Sequence, residues 1–172
     1  MDFSDAKAIL GELIDSPVTN TLLAKYPQLK VRRPSDGAQY VISKQLGISF
    51  LFLPDTGYQG GRTKKLRKCQ SIFLYANDVE GYQQFDGEIP LGFKFSDTRQ
   101  ELISKQKPFR TWKIGEGEVP VDEPCPSHDK WKTDSLVVSA HYHQVNGSIA
   151  YFIISRNKGN DFKNGSSSSF HY

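Results

Sequence analysis

The segment at residues 46–53, LGISFLFL, limits the possible folds of this chain more than any other stretch. Large apolar side chains occupy every second position from Leu46 to Phe52, which is the period of a β-strand with one buried face. A later segment at residues 136–143, LVVSAHYH, has the same order, with leucine first and serine fourth. Because the two segments match in this way, they predict equivalent strands in the two halves of a duplicated fold.

Other segments predict the helices and the remaining strands. Apolar residues at helical spacing indicate a helix over residues 3–14, and Ser16 with Pro17 is typical of the start of a second helix, which Pro27 ends. We expect a third helix to be capped by Ser96 and to end before Pro108. Runs rich in β-branched and aromatic residues predict strands at 39–43, 46–53, 71–75, 110–114, 130–133, 136–145 and 149–155.

The order of these segments predicts an α+β fold. With 172 residues the chain suits one domain, which we expect to span residues 1–156 and to consist of two related halves, 1–76 and 77–156. The halves are expected to share one curved antiparallel sheet, with the helices packed on one face. Residues 157–172, rich in Gly, Asn and Ser, are expected to form a flexible tail. A single unrepeated α+β domain is the alternative.

The composition is that of a globular domain. Hydrophobic residues make up 37% of the chain, enough for a packed core, and a formal net charge of +3 does not by itself indicate nucleic-acid binding. Acidic residues follow Met1 where a signal peptide needs basic ones, and no run approaches the ~20 apolar residues of a membrane span. We therefore expect a cytoplasmic protein in which Cys69 and Cys125 are free thiols, one disulfide in a secreted protein being the alternative.

The segment at residues 82–99, YQQFDGEIPLGFKFSDTR, resembles segments of known proteins. Its part from Gly92 to Leu102 resembles the opening of modules in the β-lactamase-inhibitor-protein-like superfamily, which the outer-membrane assembly lipoprotein modules share. The whole phrase resembles small bacterial proteins of toxin-immunity loci. The resemblance implies tandem modules on one curved sheet and a fold that binds proteins, with no catalytic residues to transfer. The chain departs from the family at residues 105–108, KQKP, where the family has a glycine before the proline, and it lacks the N-terminal lipoprotein cysteine.

The candidate chemical groups do not form a recognisable catalytic motif. The sequence lacks the nucleophile elbow, the phosphate-binding loop and the zinc-protease motif, so we predict a protein that is not an enzyme and needs no cofactor. His141 and His143 alternate on one strand and share a face, but zinc needs three or four ligands. We expect these histidines on the open face of the sheet, opposite Leu51 and Leu53, and we predict no metal site.

Two charged segments lie in stretches that have no counterpart in the other half: a basic one in the first half and an acidic one in the second. The cations are Arg62, Lys64, Lys65, Arg67 and Lys68, and the carboxylates are Glu116, Glu118, Asp122 and Glu123. Such clusters can recognise a partner, although a solvated loop is the ordinary alternative. Nucleic acid is disfavoured as a partner because no aromatic residues interleave with the cations.

These observations predict a non-catalytic protein-binding inhibitor, an immunity protein or antitoxin that neutralises a bacterial toxin. The expected partner-binding residues are Leu51, Leu53, Arg62, Lys64, Lys65, Arg67, Lys68, Glu116, Glu118, Asp122, His141 and His143. The alternative is a small-ligand or nucleic-acid-binding domain that uses the basic hairpin at residues 62–68, and an enzyme with an unrecognised site is a third possibility.

Overall fold

The computed structural model describes residues 1–54 and 66–157, which form a nine-stranded antiparallel sheet with three α-helices. The helices are α1 (Phe3–Ala8), α2 (Pro17–Lys25) and α3 (Arg99–Lys105), and single 3-10 turns lie at Val79–Gly81 and Pro90–Gly92. The strands are β1 (Lys30–Val31), β2 (Gln39–Ser43), β3 (Ile48–Pro54), β4 (Arg67–Tyr75), β5 (Arg110–Lys113), β6 (Gly117–Val119), β7 (His128–Lys132), β8 (Leu136–Tyr142) and β9 (Ile149–Arg156). This confirms the predicted α+β class.

The strand order places β4 and β9 side by side in the middle of the sheet. The full order is β1-β2-β3-β4-β9-β8-β7-β5-β6, so the early strands lie on one side of the centre and the later strands on the other. The two central strands pair antiparallel, with Leu74 opposite Phe152 and Tyr75 opposite Tyr151. Residues that are far apart in the chain are therefore brought together on the same faces of the sheet.

Alternate strand residues build the core against the helices. Phe50 of β3, Ile72 of β4 and Phe152 of β9 are fully buried in one cluster, and that cluster also contains Leu22 of α2 and Leu102 of α3. Burial of each such side chain contributes about 1.5–3 kcal/mol. The residues between them, such as Leu51, point to the opposite side of the sheet, which we call the open face.

The first helix is shorter than the predicted span of residues 3–14. α1 ends at Ala8 because the chain that follows makes hydrogen bonds to β4. The backbone N–H of Gly11 donates to the carbonyl of Cys69 at 2.8 Å, and the N–H of Ile14 donates to the carbonyl of Arg67 at 3.0 Å. Gly11 has a φ of 82°, a left-handed conformation that glycine adopts without strain. These contacts are tertiary, so the local spacing of apolar residues could not reveal them.

The third helix begins at a different cap from the predicted Ser96. Its N-cap is Thr98, whose hydroxyl accepts a hydrogen bond from the N–H of Glu101 at 3.3 Å. The Glu101 carboxylate accepts one from the N–H of Thr98 at 2.7 Å, which completes a capping box. Ser96 lies two residues earlier, and its expected role is therefore wrong.

Some strand boundaries also differ from prediction. β4 begins at Arg67 instead of residue 71, and β8 ends at Tyr142 instead of residue 145. The two- and three-residue edge strands β1 and β6 are too short to give a period in the sequence. Asn157, assigned to the tail, is held by its side-chain amide, which donates to the Thr133 carbonyl at 2.9 Å. The rest of the predicted tail lies outside the described residues.

Two further expectations concern membranes and thiols. No helix within residues 1–54 and 66–157 is long and apolar enough to cross a lipid bilayer. Cys69 and Cys125 are both free, Cys69 buried and Cys125 exposed. Burial raises the pKa of the Cys69 thiol to about 12, so this group stays protonated and packs as a small apolar side chain.

Candidate functional site

A row of five neighbouring rings, the ring row, crosses the open face. Tyr75, Tyr151, His141, His128 and Trp112 lie opposite one another on β4, β9, β8, β7 and β5. Successive ring centroids are 5.9, 4.7, 4.6 and 6.3 Å apart. Each such pair contributes about 0.5–1.5 kcal/mol beyond its buried area, so the row stabilises the strand register.

The two histidines of this row are neutral at neutral pH. Burial is the main reason that the pKa of His141 falls to about 3 and that the pKa of His128 is lowered, and the positive charge of Lys130 acts in the same direction. The Ser139 hydroxyl lies 3.1 Å from Nε2 of His141, and the Ser127 hydroxyl lies 3.2 Å from Nδ1 of His128. The two imidazoles in the middle of the open face are therefore polar but uncharged.

The histidine pair does not amount to a metal centre. In the part of the chain that the structure describes, no group of three or more His, Cys, Asp or Glu side chains could hold a metal ion. His143, predicted to share a face with His141, follows the end of β8. It is exposed in the turn, where its N–H donates to the Ser148 carbonyl at 2.8 Å. The structure instead brings His128 to His141.

At the Tyr75 end of the row the open face contains a groove of about 410 Å³. Its lining consists of Arg32, Tyr40, Ile42, Ser49, Phe73, Tyr75, Glu80, Tyr82 and Tyr151. The Tyr82 ring stacks on Tyr75 with centroids 3.8 Å apart and planes 10° from parallel. The Tyr75 hydroxyl lies 3.2 Å from the Ser49 hydroxyl. The groove falls within the ~300–1,000 Å³ that small-molecule sites occupy.

The turn at residues 78–82 carries two of the groove residues. Asp78 and Glu80 have φ angles of 63° and 50°, left-handed conformations that cost a non-glycine residue about 1–2 kcal/mol. The turn is closed by the N–H of Asp78, which donates to the Tyr82 carbonyl at 2.9 Å. The Lys44 ammonium holds it to the β2–β3 turn by donating to the Glu80 carbonyl at 2.6 Å. This strained turn places Tyr82 on Tyr75 and Glu80 at the groove.

The segment at residues 82–99, which carries the family resemblance, packs mainly in the core and contributes little to the open face. Phe85, Ile89 and Phe93 are buried against the sheet, and the Phe93 ring meets Trp131 edge to face with centroids 4.9 Å apart. Only Tyr82, at its first position, reaches the groove. A cavity of about 1,020 Å³ lies between this segment and α1, and much of its lining is the segment itself.

Arg99 forms an ion pair with Asp129 on the helix-covered face of the sheet. The guanidinium donates from Nε to Oδ2 at 2.7 Å and from Nη2 to Oδ1 at 3.2 Å, and it also donates to the carbonyls of Val121 and Glu123 at 2.7 Å each. Asp129 is fully buried and accepts further hydrogen bonds from the hydroxyls of Thr111 and Tyr142. With its lone pairs occupied, this carboxylate joins α3 to three strands and is suited to structure rather than to proton transfer.

The predicted apolar and basic contact residues fall in different places. Leu51 and Leu53 lie on the open face half-buried, with Leu51 between Tyr40 and Ser71 on the neighbouring strands. Arg67 and Lys68 are half-buried in β4, and Arg67 Nε donates to the Gly37 carbonyl at 3.4 Å. Arg62, Lys64 and Lys65 lie outside the described residues.

The predicted acidic residues are largely paired within their own half. Glu118 lies 2.9 Å from the Arg110 guanidinium. Lys113 binds both Glu116, at 3.0 Å, and Glu123, at 2.9 Å. Asp122 is exposed in the segment that follows β6. Because cations offset most of these carboxylates, the segment presents a weaker negative surface than its sequence alone predicts.

Comparison with known proteins supports the fold. No protein-family model matches this chain, and no curated protein matches it. Among solved structures, it is similar to the 1.5 Å crystal structure of an extracellular protein containing an SCP domain from Bacillus anthracis strain Ames. The TM-score is 0.52 at 11% identity, over 87% of this chain and 44% of that one. This chain thus spans less than half the length of that protein, and the likeness concerns the arrangement of helices and strands alone.

Sequence reasoning missed the groove and the ring row, although one signal was present. In β4 the residues Phe73 and Tyr75 alternate with Ile72 and Leu74, so the strand is apolar on both faces. A strand at the centre of a sheet with one face uncovered should show polar residues on that face. Aromatic residues on an uncovered face indicate that the face binds a partner or a ligand.

Proposed function

We propose that this chain is a non-catalytic protein-binding domain that holds its partner against the open face of the sheet. The observation that carries the proposal is the groove and ring row on a face to which the helices do not contribute. Tyrosine and tryptophan are the residues that most often anchor protein interfaces. Tyr40 and Trp112, near opposite ends of this surface, are 41% and 38% exposed.

The open face is close to the size that a specific partner needs. From β2 to β5 the sheet has six strand spacings, about 29 Å, and a seven-residue strand is about 23 Å long. The resulting area, roughly 650 Å², approaches the ~800 Å² that each partner buries in a stable complex. Contacts from the flanking loops would supply the remainder.

The resemblance at residues 82–99 suggests the kind of partner. We infer an immunity protein of the β-lactamase-inhibitor-protein-like type that neutralises a bacterial toxin in the cytoplasm. The two sides of the sheet would then be related halves, residues 1–76 and 77–156. In support, Phe50 and Phe52 of β3 are buried, as are Ala140 and Tyr142 at the matching positions of β8. A further match between the halves sets Ser71 and Ile72 beside Ser148 and Ile149. This match is weaker, because Ser71 lies within β4 whereas Ser148 precedes β9.

Co-expression with the product of the neighbouring gene tests the proposal. We expect the wild-type chain to restore growth and to form a one-to-one complex with the purified toxin in calorimetry. The double variant Tyr40→Glu, Trp112→Glu should lose both properties, because it places charges on the binding face. The control Val18→Glu alters an equally exposed residue, 41%, on α2 and should behave as wild type. Absence of protection by the wild-type chain, or equal loss in the control, would remove the proposal.

A further inference from the structure

The open face carries a group of cations where β5 and β7 lie side by side. The β7 residues Asp129 and Trp131 are buried in the core. Lys130 and Lys132 alternate with them, so both lysines project from the open face. Arg110 of β5 lies directly opposite Lys130 and shares this face. The basic corner is our name for these three cations and the two aromatic residues beside them, Phe109, Arg110, Trp112, Lys130 and Lys132.

Little negative charge offsets the cations of the basic corner. Among the ion pairs of residues 1–54 and 66–157, none includes Lys130 or Lys132. Arg110 does pair with Glu118, but both side chains are exposed to solvent, and such pairs are weak. Asp134 is exposed in the turn after β7 and is not joined to either lysine by an ion pair. The basic corner therefore keeps a net positive charge.

Exposed aromatic rings lie beside these cations. The Lys132 ammonium lies 4.4 Å from the centroid of the Phe109 ring, and the guanidinium carbon of Arg110 lies 5.8 Å from it. Both distances are within the range of a cation–π interaction. Phe109 and Trp112 are among the most exposed large apolar side chains of the described residues. The corner thus combines charge with apolar surface, and aromatic residues with arginine are typical of protein interfaces.

The opposite end of the open face has the same excess of positive charge. At the groove, Arg32 belongs to the lining and the Lys44 ammonium lies 5.6 Å from the centroid of the Tyr82 ring. Glu80 is the carboxylate of that lining. Cations outnumber carboxylates at the groove as they do at the basic corner, which makes the open face complementary to an acidic surface.

We infer that the partner protein presents an acidic segment, rich in Asp and Glu, to the basic corner. The inference rests on the proposed function, because it names the chemistry of the surface that would contact the open face. Carboxylates of the segment would pair with Lys130 and Lys132, while apolar groups between them would lie on the rings of Phe109 and Trp112. Nucleic acid fits less well, since its binders neutralise ~6–10 phosphates, whereas the basic corner offers few cations and has Glu118 beside them.

The basic corner is tested without any partner, by titrating an acetylated and amidated tetraglutamate peptide into the purified chain at low salt. Binding is followed by NMR through the indole signal of Trp112, and the buried Trp131 indole is the internal reference. We expect saturable shifts of the Trp112 signal in the millimolar range, which disappear at high salt. Tetraglutamine and tetralysine peptides should not saturate, and an oligothymidylate of the same charge should bind no more tightly than tetraglutamate.

Three variants test which charges attract the peptide. The double variant Lys130→Gln, Lys132→Gln should weaken tetraglutamate binding about three- to tenfold, because two exposed charge contacts are lost. The double variant Lys7→Gln, Lys94→Gln is the matched control, since it removes the same charge from exposed lysines at the cavity beside α1 and should change the affinity less than about twofold. Glu118→Gln should tighten binding about twofold, because it removes the carboxylate next to Arg110.

The possible results separate this inference from its alternatives. No saturation by tetraglutamate up to ~50 mM, equal weakening in the two lysine double variants, or weaker binding after Glu118→Gln would overturn it. Tighter binding of the oligothymidylate would overturn it in favour of a nucleic-acid backbone. The toxin plays no part in these titrations, so failure here is distinct from failure of the proposed function, which depends on growth protection and complex formation.

Discussion

Replacement of Arg99 by methionine should destabilise the protein strongly. The substitution keeps most of the side-chain volume but removes four hydrogen bonds, two of them to the fully buried Asp129 carboxylate. Removing one partner of a buried ion pair costs about 3–5 kcal/mol, because the remaining charge is uncompensated. The Arg99 side chain is 18% exposed, so we expect the lower part of that range, about 3–4 kcal/mol. For a domain of this size the melting temperature should fall by roughly 8–15 °C.

Arg110→Met is the matched control. Arg110 also pairs with a carboxylate, Glu118, at 2.9 Å, but the two side chains are 45% and 53% exposed. Exposed pairs contribute about 0–1 kcal/mol, so this variant should remain close to wild type. Urea denaturation at pH 7, followed by circular dichroism, gives both free energies of unfolding. Equal losses in the two variants would refute the assignment of Arg99 as the partner of a buried charge.

A double-mutant cycle sharpens this test. Asp129→Asn removes the buried charge while its side chain can still hydrogen-bond the hydroxyls of Thr111 and Tyr142. If the cost of Arg99→Met arises from an uncompensated carboxylate, it should be smaller by at least 1 kcal/mol in the Asp129→Asn background. Strict additivity of the two single variants would show that Arg99 stabilises the fold through its backbone contacts instead.

Two further predictions concern the turns and the histidines. Gly47 has a φ of 66°, and a Cβ there would lie 2.4 Å from the Gln83 carbonyl oxygen, so Gly47→Ala should cost about 2–4 kcal/mol. Gly115→Ala, at a φ of 81° with open space around it, should cost only about 1 kcal/mol, and similar melting temperatures for the two variants would contradict the argument. The pKa of His141 is about 3 in the folded chain and ordinarily near 6.5, so the unfolded chain binds more protons between these values. The free energy of unfolding should therefore be unaffected by His141 above pH 6.5 and should fall by at most about 1.4 kcal/mol per pH unit below it. His141→Phe should reduce this slope when urea denaturation is measured at a series of acidic pH values. An unchanged slope would count against the role of His141.

The sequence predicted the positions of the strands better than it predicted which strands pair with each other. Alternation in residues 46–53 and 136–143 reflects burial on one face, and it correctly indicated that Phe50 and Val138 belong to the core. It could not show which strands lie side by side, so the ring row, which depends on five strands in register, was missed. The same limit hid the pairing of Arg99 with Asp129, since the two side chains meet only after α3 docks on the sheet.

The groove was missed for a different reason. Tyr82 and Glu80 reach it through a turn in which Asp78 and Glu80 adopt left-handed conformations. Sequence rules assign such conformations to glycine first, so two acidic residues give no signal for them. The cap of α3 shows a milder ambiguity, because Ser96, Asp97 and Thr98 are all good N-cap residues. Only the reciprocal bond with Glu101 selects Thr98.

The positions of the two tryptophans give the protein a pair of separate optical reporters. Trp131 is completely buried, and its indole N–H donates to the Gln106 carbonyl at 2.7 Å, so its emission should be blue-shifted and shielded from aqueous quenchers. Trp112 is 38% exposed at the far end of the ring row, where acrylamide can reach it. A partner bound across β5 would protect Trp112 from quenching and leave the Trp131 signal unchanged, whereas unfolding would alter the emission of both. Binding and folding can thus be followed by fluorescence in the same unlabelled sample.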